Sequence, residues 1–139
     1  MNHKKVLAAL ALLCSSLAVN ATSHPATLYT CGQFKVIAYN DIPAVTLNGS
    51  KMDDYQVKQT QQTPVISFSE YAPTGGSRTN YELHILSEAA VPALAHQWVD
   101  ADSRPKRKIQ VEMCSPPTDA TAGDPGQSMM EILREEAAG

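Results

Sequence analysis

Short segments of alternating polar and apolar residues, separated by turn residues, fill positions 27–114 of this chain. Such alternation predicts strands, because successive side chains in a strand point to opposite faces. Asn48-Gly49 is the strongest hairpin signal, since both positions tolerate the positive φ of a type I′ turn. About seven such segments are typical of a small sandwich or barrel. The predicted fold class is therefore mainly β and antiparallel, with about seven strands and one or two short helices.

The segments also set the expected boundaries. Strands are predicted at 27–31, 34–39, 44–47, 55–60, 65–70, 79–86 and 108–114. A helix is predicted over about 92–100, because Pro92 suits a first helical turn and Leu94 and Trp98 share an apolar stripe. Residues 115–127 are rich in Pro, Gly, Thr and Asp and predict a linker. The capping box Ser128-Met129-Met130-Glu131 then begins a short C-terminal helix at 128–139.

The first 21 residues have the three parts of a secretory signal peptide. Lys4 and Lys5 form a positive start, an apolar run covers 6–19, and Val19-Asn20-Ala21 resembles an A-x-A cleavage site. The apolar run is too short for a membrane span, and no later segment is apolar enough to be one. A bacterial lipoprotein signal needs a small residue directly before its cysteine, and Leu13 stands in that position before Cys14. The prediction is export to the periplasm, with cleavage near Ala21.

Two cysteines, Cys31 and Cys114, remain after cleavage. An even pair in an oxidising compartment predicts one disulfide, which would staple a β-domain over residues 22–114. Closing so long a loop stabilises the fold by about 4 kcal/mol in the chain-entropy model. The sequence contains no C-x-x-C motif, so nothing in it indicates redox chemistry for this pair.

The charge of the mature chain argues against nucleic acid as a partner. Without Lys4 and Lys5 it has 9 basic and 14 acidic residues, a net charge of −5. Nucleic-acid-binding domains are usually basic. A mildly acidic exported protein suits a basic protein partner better, since net charge affects the rate of encounter.

The sequence contains no pattern that indicates catalysis. The mature histidines lack metal-binding spacing, and neither a G-x-S-x-G elbow nor a P-loop is present. Asp53-Asp54 lacks the further ligands that calcium needs. Glu70 and Glu82 could be proposed as a glycosidase dyad, although any chain with this many carboxylates offers one. We therefore predict a protein that is not an enzyme and has no metal or cofactor. The mature histidines are His24, His84 and His96.

One loop stands out as a candidate binding site. Residues 69–81 include two glycines, an arginine and two tyrosines, and Arg and Tyr are frequent interface anchors. The alternative is an ordinary hairpin turn, with both tyrosines half-buried in strands. A second segment, 104–108, has four basic residues, which could bind an anion but more commonly form a solvated loop. The predicted partner-binding residues are Glu70, Tyr71, Gly75, Gly76, Ser77, Arg78 and Tyr81.

The chain resembles the c-type lysozyme inhibitors of Gram-negative envelopes. Tyr29-Thr30-Cys31 is similar to their aromatic-x-Cys opening, residues 76–81 resemble their S-G-A-R-Y loop, and Cys114 lies where their closing cysteine does. The resemblance implies a β-barrel whose loop enters a lysozyme cleft, with Ser77 at the catalytic carboxylates beside Arg78 and Tyr81. In size and export the chain also looks like the periplasmic immunity proteins of type VI secretion systems, which block peptidoglycan-cleaving effectors.

The predicted function is therefore inhibition of a peptidoglycan hydrolase, either a muramidase-like effector or a lysozyme. Two alternatives stay open. One is a structural component of an envelope assembly that uses the apolar stripe from Met129 to Leu133 as its contact. The other is a carrier that holds a small apolar molecule inside its barrel. Because a short helix is marginal alone, the C-terminal helix must dock on the domain, dock on a second copy in a homodimer, or stay frayed. Docking is the favoured alternative.

Overall fold

The computed structural model describes residues 22–60, 63–74, 76–86 and 91–138. The predicted signal peptide lies outside these described residues. The described residues form two antiparallel five-stranded sheets and one short C-terminal helix. The predicted mainly β, antiparallel class is therefore confirmed, and of the predicted sandwich or barrel the structure is the sandwich. The described residues form ten strands, where about seven were expected. The strands are β1 His24–Cys31, β2 Phe34–Tyr39, β3 Val45–Leu47, β4 Ser50–Lys51, β5 Asp53–Gln59, β6 Pro64–Tyr71, β7 Arg78–His84, β8 Ala93–Val99, β9 Gln110–Met113 and β10 Thr118–Ala122.

The two sheets differ in how the chain builds them. Sheet A has the order β10-β1-β2-β3-β4, and sheet B has the order β5-β6-β7-β8-β9. Sheet B is a simple meander of neighbouring hairpins. Sheet A combines a meander with β10, which returns from the far end of the sequence to pair with β1. The chain passes from one sheet to the other at Met52, which is buried.

The hairpin between β3 and β4 has the predicted geometry. Asn48 and Gly49 both have positive φ angles, of 50° and 89°, and Leu47 pairs with Ser50 across the turn. Positive φ at both central positions is the mark of a type I′ turn. The Asn48 Oδ1 also accepts a hydrogen bond of 2.8 Å from the backbone N–H of Lys35. The hairpin prediction is therefore confirmed.

The helix predicted at 92–100 is wrong, because this segment is strand β8. Leu94 and His96 alternate with Ala95, and Leu94 is fully buried. The stripe of Leu94 and Trp98 at helical spacing also fits a period of two, so the sequence pattern was ambiguous. Hydrogen bonding to β7 on one side and β9 on the other resolves it in favour of a strand.

The linker predicted at 115–127 contains strand β10. Its five residues pair antiparallel with β1, from His24 opposite Ala122 to Leu28 opposite Thr118. The segment has almost no apolar side chains to bury, so the sequence carries little sign of a strand. Pairing of its backbone groups with the otherwise open edge of β1 accounts for its conformation.

The core lies between the sheets and is closed by the predicted disulfide. Cys31 and Cys114 are bonded across a separation of 83 residues, which confirms the predicted pair. Cys31 ends β1 in sheet A and Cys114 follows β9 in sheet B, so the bond joins the two layers. The largest fully buried side chains are Phe68, Leu83, Leu94, Val36 and Val45.

The C-terminal helix, α1 (Met129–Ala138), begins with the predicted capping box. The Ser128 hydroxyl accepts a hydrogen bond from the Glu131 N–H, and the Glu131 carboxylate accepts one from the Ser128 N–H, both at 3.3 Å. The Ser128 hydroxyl also donates to Asp53 at 2.7 Å, and Lys51 pairs with Glu131 at 2.8 Å. The helix therefore docks on its own domain. Among the described residues, no helix is long and apolar enough to cross a membrane.

Candidate functional site

The turn between β6 and β7 carries the predicted binding loop. It is closed by a hydrogen bond of 2.9 Å from the Ala72 N–H to the Ser77 carbonyl. Gly76 has a φ of +85°, and a Cβ at this position would lie 2.9 Å from the Cβ of Ala101. Glycine is needed there both for the backbone conformation and for the close approach of the neighbouring loop. Gly75 lies outside the described residues.

Arg78, the first residue of β7, is held by three side chains. Its Nε donates to the Asn80 Oδ1 at 3.0 Å, and its Nη2 donates to the Ser103 hydroxyl at 3.1 Å. Its guanidinium carbon lies 5.9 Å from the centre of the Tyr71 ring, which is within cation–π range. The guanidinium is therefore fixed in place at the base of the turn.

The partners of Arg78 are all neutral. Asn80 Oδ1 also accepts a hydrogen bond of 2.9 Å from the Ser69 hydroxyl, which is buried. Within the described ranges, no carboxylate lies at ion-pair distance from Arg78. The positive charge is thus positioned but not neutralised, and a guanidinium can form paired, charge-assisted bonds to a carboxylate.

Tyr71 is itself anchored to strand β5. Its hydroxyl donates a hydrogen bond of 2.6 Å to the Asp54 carboxylate. This bond, together with partial burial, raises the pKa of the Tyr71 hydroxyl, so the phenol stays protonated and keeps donating. Asp54 lies at a β-bulge and has a positive φ of 56°. The bulge turns the carboxylate towards Tyr71 and supports the ring on which Arg78 rests.

The loop after β8 forms the other wall of this site. The Asp100 carboxylate accepts hydrogen bonds from the backbone N–H groups of Arg104, at 2.9 Å, and Asp102, at 3.0 Å. These bonds and the ion pair with Lys106 lower the pKa of Asp100. Ser103 has a φ of 63°, in the left-handed region. The loop is thereby held in one conformation that presents the Ser103 hydroxyl to Arg78.

The structure separates the predicted binding residues into two groups. Tyr71 and Arg78 are directly opposite each other on β6 and β7, and Gly76 and Ser77 lie in the turn that joins them. Glu70 is exposed but pairs with Thr79, so it faces the other side of sheet B. Residues paired across two strands have their side chains on the same face of a sheet, whereas consecutive residues of one strand have theirs on opposite faces.

Tyr81 is a core residue and not part of the exposed loop. It is 6% exposed and stacks on Phe68, with ring centres 5.1 Å apart. Burial raises the pKa of its hydroxyl to about 12. Its side chain is out of reach of a partner at the turn. This agrees with the alternative from the sequence, in which Tyr81 is a strand residue next to an ordinary hairpin turn. We therefore leave Tyr81 out of the site.

Three residues of the site were not identified from the sequence. They are Asp54, Asn80 and Ser103. Asp54 was considered only as half of an acidic pair, and Ser103 lies 25 residues from Arg78. The alternation of the strand does place Asn80 on the same face as Arg78, which was a usable signal. The contact with Ser103 depends on the pairing of β7 with β8, and the segment that forms β8 was predicted to be a helix.

The acidic residues that were considered as a cation site or as a catalytic pair do not come together in the structure. Asp53 and Asp54 bond to different partners, Ser128 and Tyr71. Glu82 pairs with Ser67, so it lies on the face of sheet B opposite to Glu70, and the two cannot act as a dyad. In the part of the chain that the structure describes, no three His, Cys, Asp or Glu residues are grouped to hold a metal ion.

Comparison with known proteins does not assign this site to a family. No family model, no curated protein and no solved structure matches the chain.

Proposed function

We propose that this protein is an exported inhibitor, of the immunity type, that blocks the active cleft of a peptidoglycan-degrading, lysozyme-like enzyme. The observation that carries the proposal is Arg78, a guanidinium held at the base of a tight turn by neutral acceptors alone. A muramidase cleft contains two carboxyl groups that flank the bond to be cleaved. A fixed cation beside a narrow turn is complementary to such a cleft.

The energetics of binding favour a residue that is already fixed. An arginine loses side-chain freedom when it binds, and a partner must compensate for that loss. Here Asn80, Ser103 and the Tyr71 ring hold the guanidinium before any partner arrives. The Ser77 hydroxyl in the adjoining turn adds a second donor. Charge-assisted bonds inside a desolvated cleft are among the stronger polar contacts available.

Export and charge are consistent with this proposal. Residues 1–21 have the pattern of a signal peptide, and the disulfide of the mature domain is compatible with an oxidising periplasm. The net charge of −5 favours encounter with a basic hydrolase. The binding residues in this proposal are Tyr71, Gly76, Ser77 and Arg78, with Glu70 at the margin.

The test is inhibition of cell-wall lysis by the oxidised protein from Thr22 onward. The panel contains a c-type lysozyme, a type VI muramidase effector and an amidase effector. We expect stoichiometric inhibition of one of them. The double variant Ser77→Ala/Arg78→Gln should weaken that inhibition by about tenfold or more, because it removes a charge-assisted donor from the interface.

A matched variant separates the turn from a general effect of charge. Ser115→Ala/Arg134→Gln removes the same functional groups from exposed positions outside both the turn and the loop after β8. It should inhibit as well as the unchanged protein, and all the variants should unfold at similar temperatures. Equal inhibition by the Ser77/Arg78 variant would remove the turn from the mechanism. Failure to inhibit all three enzymes would favour the second candidate.

The second candidate is a component of an envelope assembly, and the outer edge of sheet B favours it. Ile109, Val111 and Met113 are each about 60% exposed along β9 and the residue before it. An exposed apolar strand at a sheet edge is a common site of association. The predicted stripe on α1 adds Met129, which is 39% exposed.

Oligomeric state tests this second candidate. An assembly protein should form oligomers that dissociate with Val111→Lys, or with removal of residues 128–139. Truncation directly after Cys114 is unsuitable, because it would remove β10 from sheet A. A monomer at all concentrations would contradict self-association through either surface.

A further inference from the structure

A pocket of about 290 Å³ lies on sheet B, between β7, β8 and the loop that leads into β9. Its volume is near the lower limit of small-molecule sites. Thr79 pairs with Trp98 across β7 and β8, and His96 pairs with Gln110 across β8 and β9. Because Thr79 directly follows Arg78 in β7, these side chains are on the face of sheet B opposite to Arg78. The residues that line the pocket include Thr79, His96, Trp98, Arg107, Lys108 and Gln110.

The pocket has an uncompensated positive charge. Within the described residues, Arg107 and Lys108 have no carboxylate at ion-pair distance, whereas Lys106 between them and β8 pairs with Asp100 at 3.4 Å. The local charge is notable because acidic residues outnumber basic ones, 14 to 11, in the whole chain. Two unpaired cations at one pocket favour an anionic group of a ligand.

The pocket also offers an aromatic surface and an unpaired polar atom. Trp98, the single tryptophan of the chain, is 38% exposed. The buried Nε2 of His96 has no hydrogen-bond partner among the described residues, and the nearest carboxylate oxygen, on Glu112, is 3.8 Å away. A buried polar atom without a partner is costly, and a ligand could supply the missing bond.

The backbone around the pocket is already in place. The Gln97 side-chain amide donates to the Arg107 carbonyl at 3.0 Å, and the Lys106 N–H donates to the Trp98 carbonyl at 3.2 Å. Val99 and Pro105 form a further bridge between the strand and the loop. These bonds hold the loop with Arg107 and Lys108 beside β8, so a ligand would not have to order this loop.

We propose that this pocket binds a small ligand in which a carboxylate or phosphate is attached to a flat, apolar ring. The anion contacts Arg107 and Lys108, the ring lies against Trp98, and polar groups of the ligand reach Gln110 or the His96 Nε2. The proposal does not depend on inhibition by the turn, because Arg78 is on the face of sheet B opposite to Thr79 and Trp98.

The single tryptophan makes the test direct, since its indole N–H gives one assigned signal in a nitrogen–proton NMR spectrum. The probes are benzoate and phenyl phosphate, with benzyl alcohol as a ring without charge and inorganic phosphate as a charge without a ring. We expect a saturable shift of the indole signal with benzoate or phenyl phosphate at concentrations up to about 10 mM, the range of a weak fragment. The two control probes should bind about tenfold more weakly or not at all.

Variants then identify the charge that matters. Arg107→Gln/Lys108→Gln should weaken binding of the preferred anion by about tenfold, while Arg104→Gln/Lys58→Gln, with the same loss of charge outside the pocket, should not. Thermal unfolding verifies that each variant is folded, and the single variants Arg107→Gln and Lys108→Gln replace the double if it is not. The proposal would be overturned if neither benzoate nor phenyl phosphate gave a saturable shift. It would also be overturned if benzyl alcohol bound as tightly as the anions, or if the Arg107/Lys108 variant bound the preferred anion as tightly as the unchanged protein.

Discussion

Sheets A and B differ in what they leave exposed to solvent. In the described part of the chain, the exposed large hydrophobic residues outside α1 all lie in the strands of sheet B or in its connections. Both sheets contribute fully buried residues to the core, but among the described residues no large hydrophobic residue of sheet A is exposed. The Arg78 turn and the Trp98 pocket also belong to sheet B. Sheet A therefore serves mainly as a framework, and sheet B presents the surfaces that can meet a partner.

The two sheets also differ in how far apart in sequence their contacts are. Every strand of sheet B pairs with its sequence neighbour. Sheet A is completed only when β10 reaches β1, where His24 lies 2.8 Å from Asp41 and 2.7 Å from Asp124. The Tyr39 hydroxyl adds a bond of 2.6 Å to the Gly123 carbonyl. Contacts distant in sequence close slowly, since chain entropy must be lost before they form.

Loss of the disulfide should have the largest effect and should harm sheet A most. Cys31→Ala/Cys114→Ala removes the link between the sheets and should lower the free energy of unfolding by about 4 kcal/mol. Urea unfolding measures the loss. Hydrogen exchange should show that β1 and β10 lose more protection than β6 and β7. Equal loss in both sheets would break the distinction between them.

A pair of truncations on sheet B should separate its core face from its outer face. Leu83→Ala, at a fully buried position, should cost about 3 kcal/mol, because it leaves a cavity in the core. Val111→Ala, at a position 58% exposed, should change stability by less than about 0.5 kcal/mol. Thermal and urea unfolding measure both. Similar losses would mean that the exposed face of β9 is covered in solution.

The contact between α1 and the domain should have a smaller effect. Ser128→Ala removes the helix cap and the bond to Asp53, so it should cost about 1 kcal/mol. Ser115→Ala, at an exposed position outside any helix, is the control and should be neutral. Urea unfolding gives the comparison, and helical circular dichroism reports whether α1 frays. No difference between the two variants would show that the helix is not held by its first turn.

The smallest effect should come from His24 and should depend on pH. Hydrogen bonds to Asp124 and Asp41 raise the pKa of His24 above its ordinary value of 6.5. A raised folded-state pKa means that its stabilisation is fully present below pH 6.5 and is lost as pH rises through the folded-state value. The difference in melting temperature between the unchanged protein and His24→Gln should therefore shrink at alkaline pH. A difference that grows with pH would contradict stabilisation by the contacts of His24 with Asp41 and Asp124.

Much of the fold could be predicted from the sequence, where the signal is local. The bounds of β2 were predicted without error, because its alternation and its flanking turns lie within a few residues. Asn48-Gly49 and the capping box at Ser128 are likewise short patterns with one main physical solution each. The cysteine pair followed from counting, since only two cysteines lie outside the predicted signal peptide.

The site was predicted in part. The turn with Ser77 and Arg78 was located from residue types, but the guanidinium's partners Asn80 and Ser103 were not. Tyr81 was assigned to the loop from its residue type and from the resemblance of residues 76–81 to the S-G-A-R-Y loop. Its burial depends on Phe68, which β6 brings to the same face of the sheet. Residue type indicates what a side chain can do, whereas its neighbours decide whether it is exposed to do it.

The sequence by itself therefore determined the β class, the disulfide pair, the tight hairpin and the cap of α1, since each of these follows from residues close together or from a count. Only the tertiary structure decided that residues 93–99 and 118–122 are strands. Both segments have weak or ambiguous patterns, and both are strands because their backbone groups pair with other strands. Residues 93–99 pair with β7 and β9, and residues 118–122 pair with β1 near the other end of the described chain. A strand is stabilised by the strand beside it, and that neighbour is not written in the segment's own residues.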